Sequence, residues 1–228
     1  TTFFRSPGTA PDLPGLLRAA QTLAGVPVTA IAVDMPLAHG PITGRRAADN
    51  LISREYGCLG CGTHSPSATC PGPIASTLRD AAGRLGYSLA TMRSPTNEKA
   101  LLETYPHPAV VDLLHADYRV KYKVGKIRKY WPEVAPDARR REVAKNLFNI
   151  IGVIERLMGP CGLSPNETNT LATLKRIEDV VDALICCWVG ICWLEGRAHS
   201  YGDDEAVIWL PRRGPRSTGD PLAEASHD

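Results

Sequence analysis

The sequence predicts an α/β fold in which helices outnumber strands, and three observations carry that expectation. The run Val28-Thr-Ala-Ile-Ala-Val33 is apolar on both faces and rich in β-branched residues, as in a strand covered by helices on either side. Several stretches repeat apolar residues at three- and four-residue spacing, which gives a helix one buried face. The 20 Gly and 19 Pro, about 17% of the chain against roughly 12% in average usage, divide it into many short elements. With 228 residues, 43% hydrophobic and 22% charged, the chain suits one globular domain and excludes a coiled coil, a fibrous repeat or disorder.

The elements follow in order. Leu13, Leu16, Leu17, Ala20 and Ala24, with Gly25 behind them, predict a first helix. The strand at 28–33 stops at Asp34-Met35-Pro36. Residues 44–56 read as helical and 57–72 as a loop dense in Cys, Ser, Pro and Gly. Pro73 opens a helix carrying Ile74, Leu78, Ala81, Ala82 and Leu85 on one face, with Gly86 after it. A second strand ends at Glu103. Residues 118–131 are basic and aromatic without a period. Asp137 as N-cap, then Val143, Leu147, Ile150, Ile151, Ile154 and Met158, mark a long amphipathic helix that Gly159-Pro160 ends. A helical pair follows, its second member, about 178–195, apolar nearly all round and therefore central. Residues 206–210 form a final strand, and 212–228 a polar tail.

The formal charge of +2 is too mild to identify a partner. Seven cysteines, an odd number with Cys186 and Cys187 adjacent in an apolar run, do not resemble a secreted disulfide framework, and no signal peptide precedes them. A reducing cytoplasm is the expectation. The longest apolar stretch, 183–194, falls short of the roughly 18 residues that cross a bilayer, so no membrane is expected as partner.

Acidic residues carry the candidate chemistry. Asp34 ends a strand at a proline, so its carboxylate belongs at the carboxyl edge of a sheet, where open α/β folds bind ligands; a turn or helix cap would explain it equally. Glu103 is set the same way, before Thr104-Tyr105-Pro106, with a surface turn as the other reading. Glu178, Asp179 and Asp182 share one helix face; a helix N-terminus would favour acids, but Asp182 lies among Val180, Val181, Ala183 and Leu184. Convergent carboxylates without matching histidines favour Mg²⁺ or Mn²⁺. Two such ions activate a water and stabilise the leaving oxygen in phosphodiester hydrolysis.

Phosphate chemistry needs a basic surface, and residues 119–145 carry a net charge of +7 within a chain of +2. Tyr118, Tyr122, Tyr130 and Trp131 lie within or beside them, offering stacking faces as RNA and single-strand binders do; a solvated lysine face is the alternative. Cys58, Cys61, His64 and Cys70 hold soft ligands within 13 residues, but their spacing matches no established zinc module, and a loop with incidental thiols is the competing reading. Arg45 or Arg46 with Asp49 reads as an intrahelical ion pair or as a phosphate holder near an acidic site.

Several segments, taken together, resemble the domain of unknown function 429 family, predicted nucleases of the ribonuclease-H-like superfamily. They are Ala32-Val-Asp34-Met-Pro-Leu37, Arg46-Ala-Ala-Asp49, Thr63-His-Ser-Pro66, Glu103-Thr-Tyr-Pro-His107, Lys121-Tyr-Lys123 to Arg128, Asp179-Val-Val-Asp182-Ala-Leu184 and Val207-Ile-Trp-Leu-Pro211, in the family's order. The resemblance implies a mixed sheet flanked by helices over 1–211, with a helical, basic insertion around 115–160. It also implies a metal-dependent nuclease acting on RNA or DNA with Mg²⁺ or Mn²⁺. In that pattern Asp34, Glu103 and Asp182 are the catalytic acids and Asp179 assists at the metal. Arg46 and Asp49 line the cleft, and Lys121, Lys123 and Arg128 face phosphate. The family's opening Gly-x-Asp strand is not among these residues, so Thr1-Thr-Phe-Phe4 is expected to end a third strand of a longer polypeptide. Without that acid, a non-catalytic module binding nucleic acid or protein is the alternative function.

Overall fold

A computed structural model of the protein describes residues 12–96 and 98–212. The expected strand at Thr1-Thr-Phe-Phe4 and the tail beyond 212 lie outside them. Asp12 starts the first helix, α1 (Leu13–Ala24), by accepting the Gly15 N–H, and Gly25 ends it in the left-handed conformation. Strand β1 (Ala30–Val33) follows, then α2 (Ala47–Tyr56) and α3 (Pro73–Arg84). Next come β2 (Ser88–Leu89), β3 (Ala100–Thr104) and α4 (Pro106–Leu113). A short turn of 3-10 helix, Val124–Lys126, leads into α5 (Ile127–Tyr130). The chain closes with α6 (Pro136–Met158), α7 (Leu171–Leu194), β4 (Ala198–Gly202) and β5 (Val207–Pro211).

These strands make one mixed five-stranded sheet with helices on both faces. β1 runs parallel to β3 in the register Val33 beside Glu103. The other edge of β3 is shared: β2 pairs in parallel with Ala100 and Leu101, and β5 with Glu103 and Thr104. Trp209 of β5 donates its indole N–H to the Ala90 carbonyl just past β2, at 3.2 Å, which joins the two halves of that edge. β4 pairs antiparallel with β5 on its outer side.

Alternation along β3 divides the interior. Leu101 faces a smaller core with α1, α3, Leu37 and Tyr87. Ala100 and Leu102 face the larger core, where α2, α4, α6 and α7 pack. β1 follows the same rule, with Ile31 and Val33 on the first side and Ala30 and Ala32 on the second. That two-sided burial is what the apolar run at 28–33 predicted.

Four expectations need correction. Ala135, not Asp137, is the N-cap of α6, and Asp137 lies inside its first turn. Residues 44–46 are not helical, and α2 begins at Ala47. The expected helical pair is one helix, α7, 24 residues long and capped by the Thr170 hydroxyl accepting the Thr173 N–H. Its polar second and third turns, Lys175 to Asp179, interrupted the apolar pattern, although Leu174, Ile177 and Val181 continue the buried stripe. Glu178, Asp179 and Asp182 therefore lie well inside the helix, beyond the first turn where the dipole favours acids. The sheet also holds two strands that the residue pattern alone did not show, because β2 and β4 are too short or too polar for alternation.

Gly190 marks where α7 presses on the sheet: a Cβ there would lie 3.5 Å from the Ala32 Cβ and 4.0 Å from Leu102 Cδ1. Gly190→Ala fits that space and should leave stability unchanged or raise it by up to about 1 kcal/mol. Gly190→Leu should cost about 1–3 kcal/mol through overpacking. Urea denaturation of both variants tests this, and equal stabilities would refute the close approach.

Candidate active site

Parallel pairing brings the carboxyl ends of β1 and β3 to one edge, and a cleft of about 150 Å³ opens there. Asp34, Glu103, Thr104, Tyr105, Arg46, Asp49 and His64 are among the residues that line it. Thr104 donates its hydroxyl to the Val33 carbonyl at 3.1 Å, fixing the strand ends against one another.

Glu103 and Arg46 form the buried frame of this cleft. Arg46 gives Nη1 and Nη2 to the two Glu103 oxygens at 2.6 and 2.7 Å, and Nε and Nη2 to Asp49 at 3.0 and 2.9 Å. Nη1 also donates to the Leu37 carbonyl at 2.7 Å, so all five guanidinium hydrogens are used. Glu103 Oε2 further accepts the Leu37 N–H at 2.6 Å. Burial pushes the Glu103 carboxyl up and the Arg46 contacts pull it down; a bidentate guanidinium plus a backbone donor favours the ionised pair. Arg46 thus has no donor left for a phosphate, and both Glu103 oxygens are engaged within the protein.

A second acidic group lies on α7. The carboxylate oxygens of Glu178, Asp179 and Asp182 fall within 4.8 Å of one another, and these three could hold a divalent cation. Asp182 accepts from the Tyr122 hydroxyl at 2.8 Å and from Lys123 Nζ. Glu178 accepts the Val124 N–H at 2.7 Å, and Lys175 reaches both Glu178 and Asp179 at 2.8 and 2.6 Å. Lys123 also lies over the Tyr122 ring, 4.9 Å from its centroid.

Asp34 joins this group electrostatically. The residue is exposed, but the protein atoms around its carboxyl desolvate it, and that desolvation followed by the charge of Asp182 raises its pKa to about 6, against the pull of Lys123. Among the described residues, Asp34, Glu103 and Asp182 do not converge as one ligand set: the close set is on α7, and Glu103 belongs to Arg46.

Of the basic candidates, Lys121 donates to the Tyr130 carbonyl at 3.4 Å and lies over the Trp131 ring. It also lines a cavity of about 350 Å³ that shares His64 with the acidic cleft. Arg128 is exposed on α5 and lines neither cavity. Cys58 and Cys70 are exposed while Cys61 is buried, its thiol pushed up to about 11 by burial. With His64 they do not converge as a ligand set among the described residues.

Two neighbours of the site carried no assignment in the sequence. Lys175, four residues before Asp179, could have been found as an ordinary helical ion pair. His107 could not, because its role depends on burial and on Arg119, twelve residues away: Arg119 Nη2 donates to His107 Nε2, and His107 Nδ1 has no partner. Burial and then the Arg119 charge hold this imidazole neutral, down to about 2.

A family model described as a protein of unknown function (DUF429) matches residues 15–206. The chain belongs to the DUF429 family. No curated protein and no solved structure matches it. The DUF429 match spans both the Arg46 frame and the α7 acids. No helix among the described residues is long and apolar enough to cross a membrane.

Removing Arg46 alone strands a buried charge. Arg46→Met should cost about 3–5 kcal/mol, and adding Glu103→Gln should recover part of that loss; a second loss of equal size would refute the pairing. His107 predicts a pH dependence. Its folded pKa of about 2 lies below the ordinary 6.5, so the unfolded chain binds the extra proton and stability is lost as pH falls below about 6.5. The stability of wild type relative to His107→Gln should therefore decline from pH 7.5 to 5, and a constant difference would count against this.

Proposed function

We propose that this protein is a divalent-metal-dependent phosphodiesterase acting on nucleic acid, built on a ribonuclease-H-like core. The carrying observation is that an acidic cleft at the carboxyl ends of parallel strands adjoins a cavity lined by cations, with His64 on both. Nucleic acid suits such a pair, since one strand can hold a phosphate at the acids while a neighbouring phosphate lies among lysines.

Glu178, Asp179 and Asp182 would hold Mg²⁺ or Mn²⁺, with the Asp34 carboxylate acting on them through its charge. The donor set fits: it is all oxygen, it outnumbers the two lysines beside it, and a cation would offset the mutual repulsion of three carboxylates within 4.8 Å of one another. Such an ion, when bound, would supply positive charge to the reacting phosphate and lower the pKa of water. The chain's own residues do the rest. Lys123 orients Asp182 and adds positive charge beside the acids. Arg46, fully occupied, holds the strand ends and α2 in register.

One observation favours a second reading, a binding module without cleavage: Lys123 and Lys175 already pair the α7 acids without a metal. Incubation of labelled RNA, DNA and RNA–DNA hybrid with the protein and Mn²⁺ separates the two. Asp34→Asn and Asp182→Asn should each lower cleavage by at least about 100-fold, as losses around metal sites commonly do. Binding without cleavage, or equal cleavage by wild type and both variants, would overturn the proposal.

A further inference from the structure

The cavity beside the cleft is more cationic than one internal phosphodiester requires. Arg119, Lys121, Lys126 and Lys129 line it with His64, and no carboxylate does. Lys126 and Lys129 have exposed side chains that make no ion pair among the described residues. Arg119 is anchored at both ends, by His107 and by the Gly60 carbonyl at 3.5 Å, while its Nε is buried without a partner. The Tyr130 hydroxyl is buried beside it, where the Arg119 guanidinium and the Lys123 backbone N–H act on its oxygen. Arg119, one of the cations lining the cavity, thus keeps one buried donor without an acceptor.

The wall is built for this space. Gly60, at φ +75°, lies so close to the Tyr118 ring that a Cβ would come within 2.6 Å of Tyr118 Cζ. Tyr118 and Tyr130 also offer ring faces on which a base can stack.

An internal phosphodiester carries one charge, whereas a terminal phosphate, a monoester, carries about −1.5 to −2 at pH 7 and three acceptor oxygens. We infer that this cavity receives the terminal phosphate of a nucleic-acid strand, so that the enzyme works from strand ends. The inference rests on the phosphodiesterase reading and specifies its substrate. Because His64 borders both cavities, a strand anchored here enters the acidic cleft close to its end, and short products follow.

The test measures binding in EDTA, where cleavage cannot contribute. The probes are a single-stranded oligonucleotide with a 5′-phosphate, the same strand with a 3′-phosphate, the unphosphorylated strand, a mononucleotide and inorganic phosphate. Wild type should bind one phosphorylated strand about tenfold tighter than the unphosphorylated one, the yield of roughly one charge-assisted contact. Lys126→Ala/Lys129→Ala should erase that preference, and Arg119→Lys should reduce it. Equal binding of all three strands, or a preference intact in the double variant, would overturn the inference. So would tighter binding of the mononucleotide than of any strand, which would mark a small-molecule site. Asp34→Asn should abolish cleavage and keep the preference, so failure of the catalytic reading is distinguishable from failure of this one.

Discussion

The rest of the structure depends on one buried guanidinium. Arg46 ties together three segments distant in sequence: β3 through Glu103, the first turn of α2 through Asp49, and the loop after β1 through Leu37. Buried charges persist only where each is paired and hydrogen-bonded, and here the full donor set of one arginine meets two carboxylates and a carbonyl. The frame fixes the edge of the sheet from which Asp34 projects. It also explains why a motif that reads as substrate-binding in sequence has a structural job: a side chain with every hydrogen committed cannot release them to a passing phosphate without exposing Glu103.

The α7 acids follow the opposite logic. Their cations, Lys123 and Lys175, are partly open to solvent, so the pairing holds the acids together without burying their charge. The molecule thus keeps one buried charge cluster and one partly open to solvent.

Much of this was legible in the chain. The run at 28–33 announced a doubly covered strand because both faces had to be apolar, and Asp34 could be placed at the sheet edge because a proline closely follows it. The helix around Val143 to Met158 was readable from its stripe alone. The short strands were not: β2 has two residues and β4 carries His199, Ser200 and Tyr201, and such segments are specified by their partners rather than by their own composition. Nor could sequence separate Glu103 from Asp182 as candidate ligands. Both are acids among apolar neighbours, and only the fold places an arginine on one and lysines beside the other. The orphaned donor of Arg119 is likewise a product of packing.

β3 has a consequence for how the protein comes apart. Leu101 contributes to the interior on one side of the sheet and Leu102 to that on the other, so neither layer of helices can detach while leaving the strand dry. Peeling away α1 and α3 would wet the backbone that supports α7, and the reverse holds as well. The two interiors are expected to be lost in a single cooperative melting event rather than in stages, with β3 as the last segment to exchange its amide hydrogens.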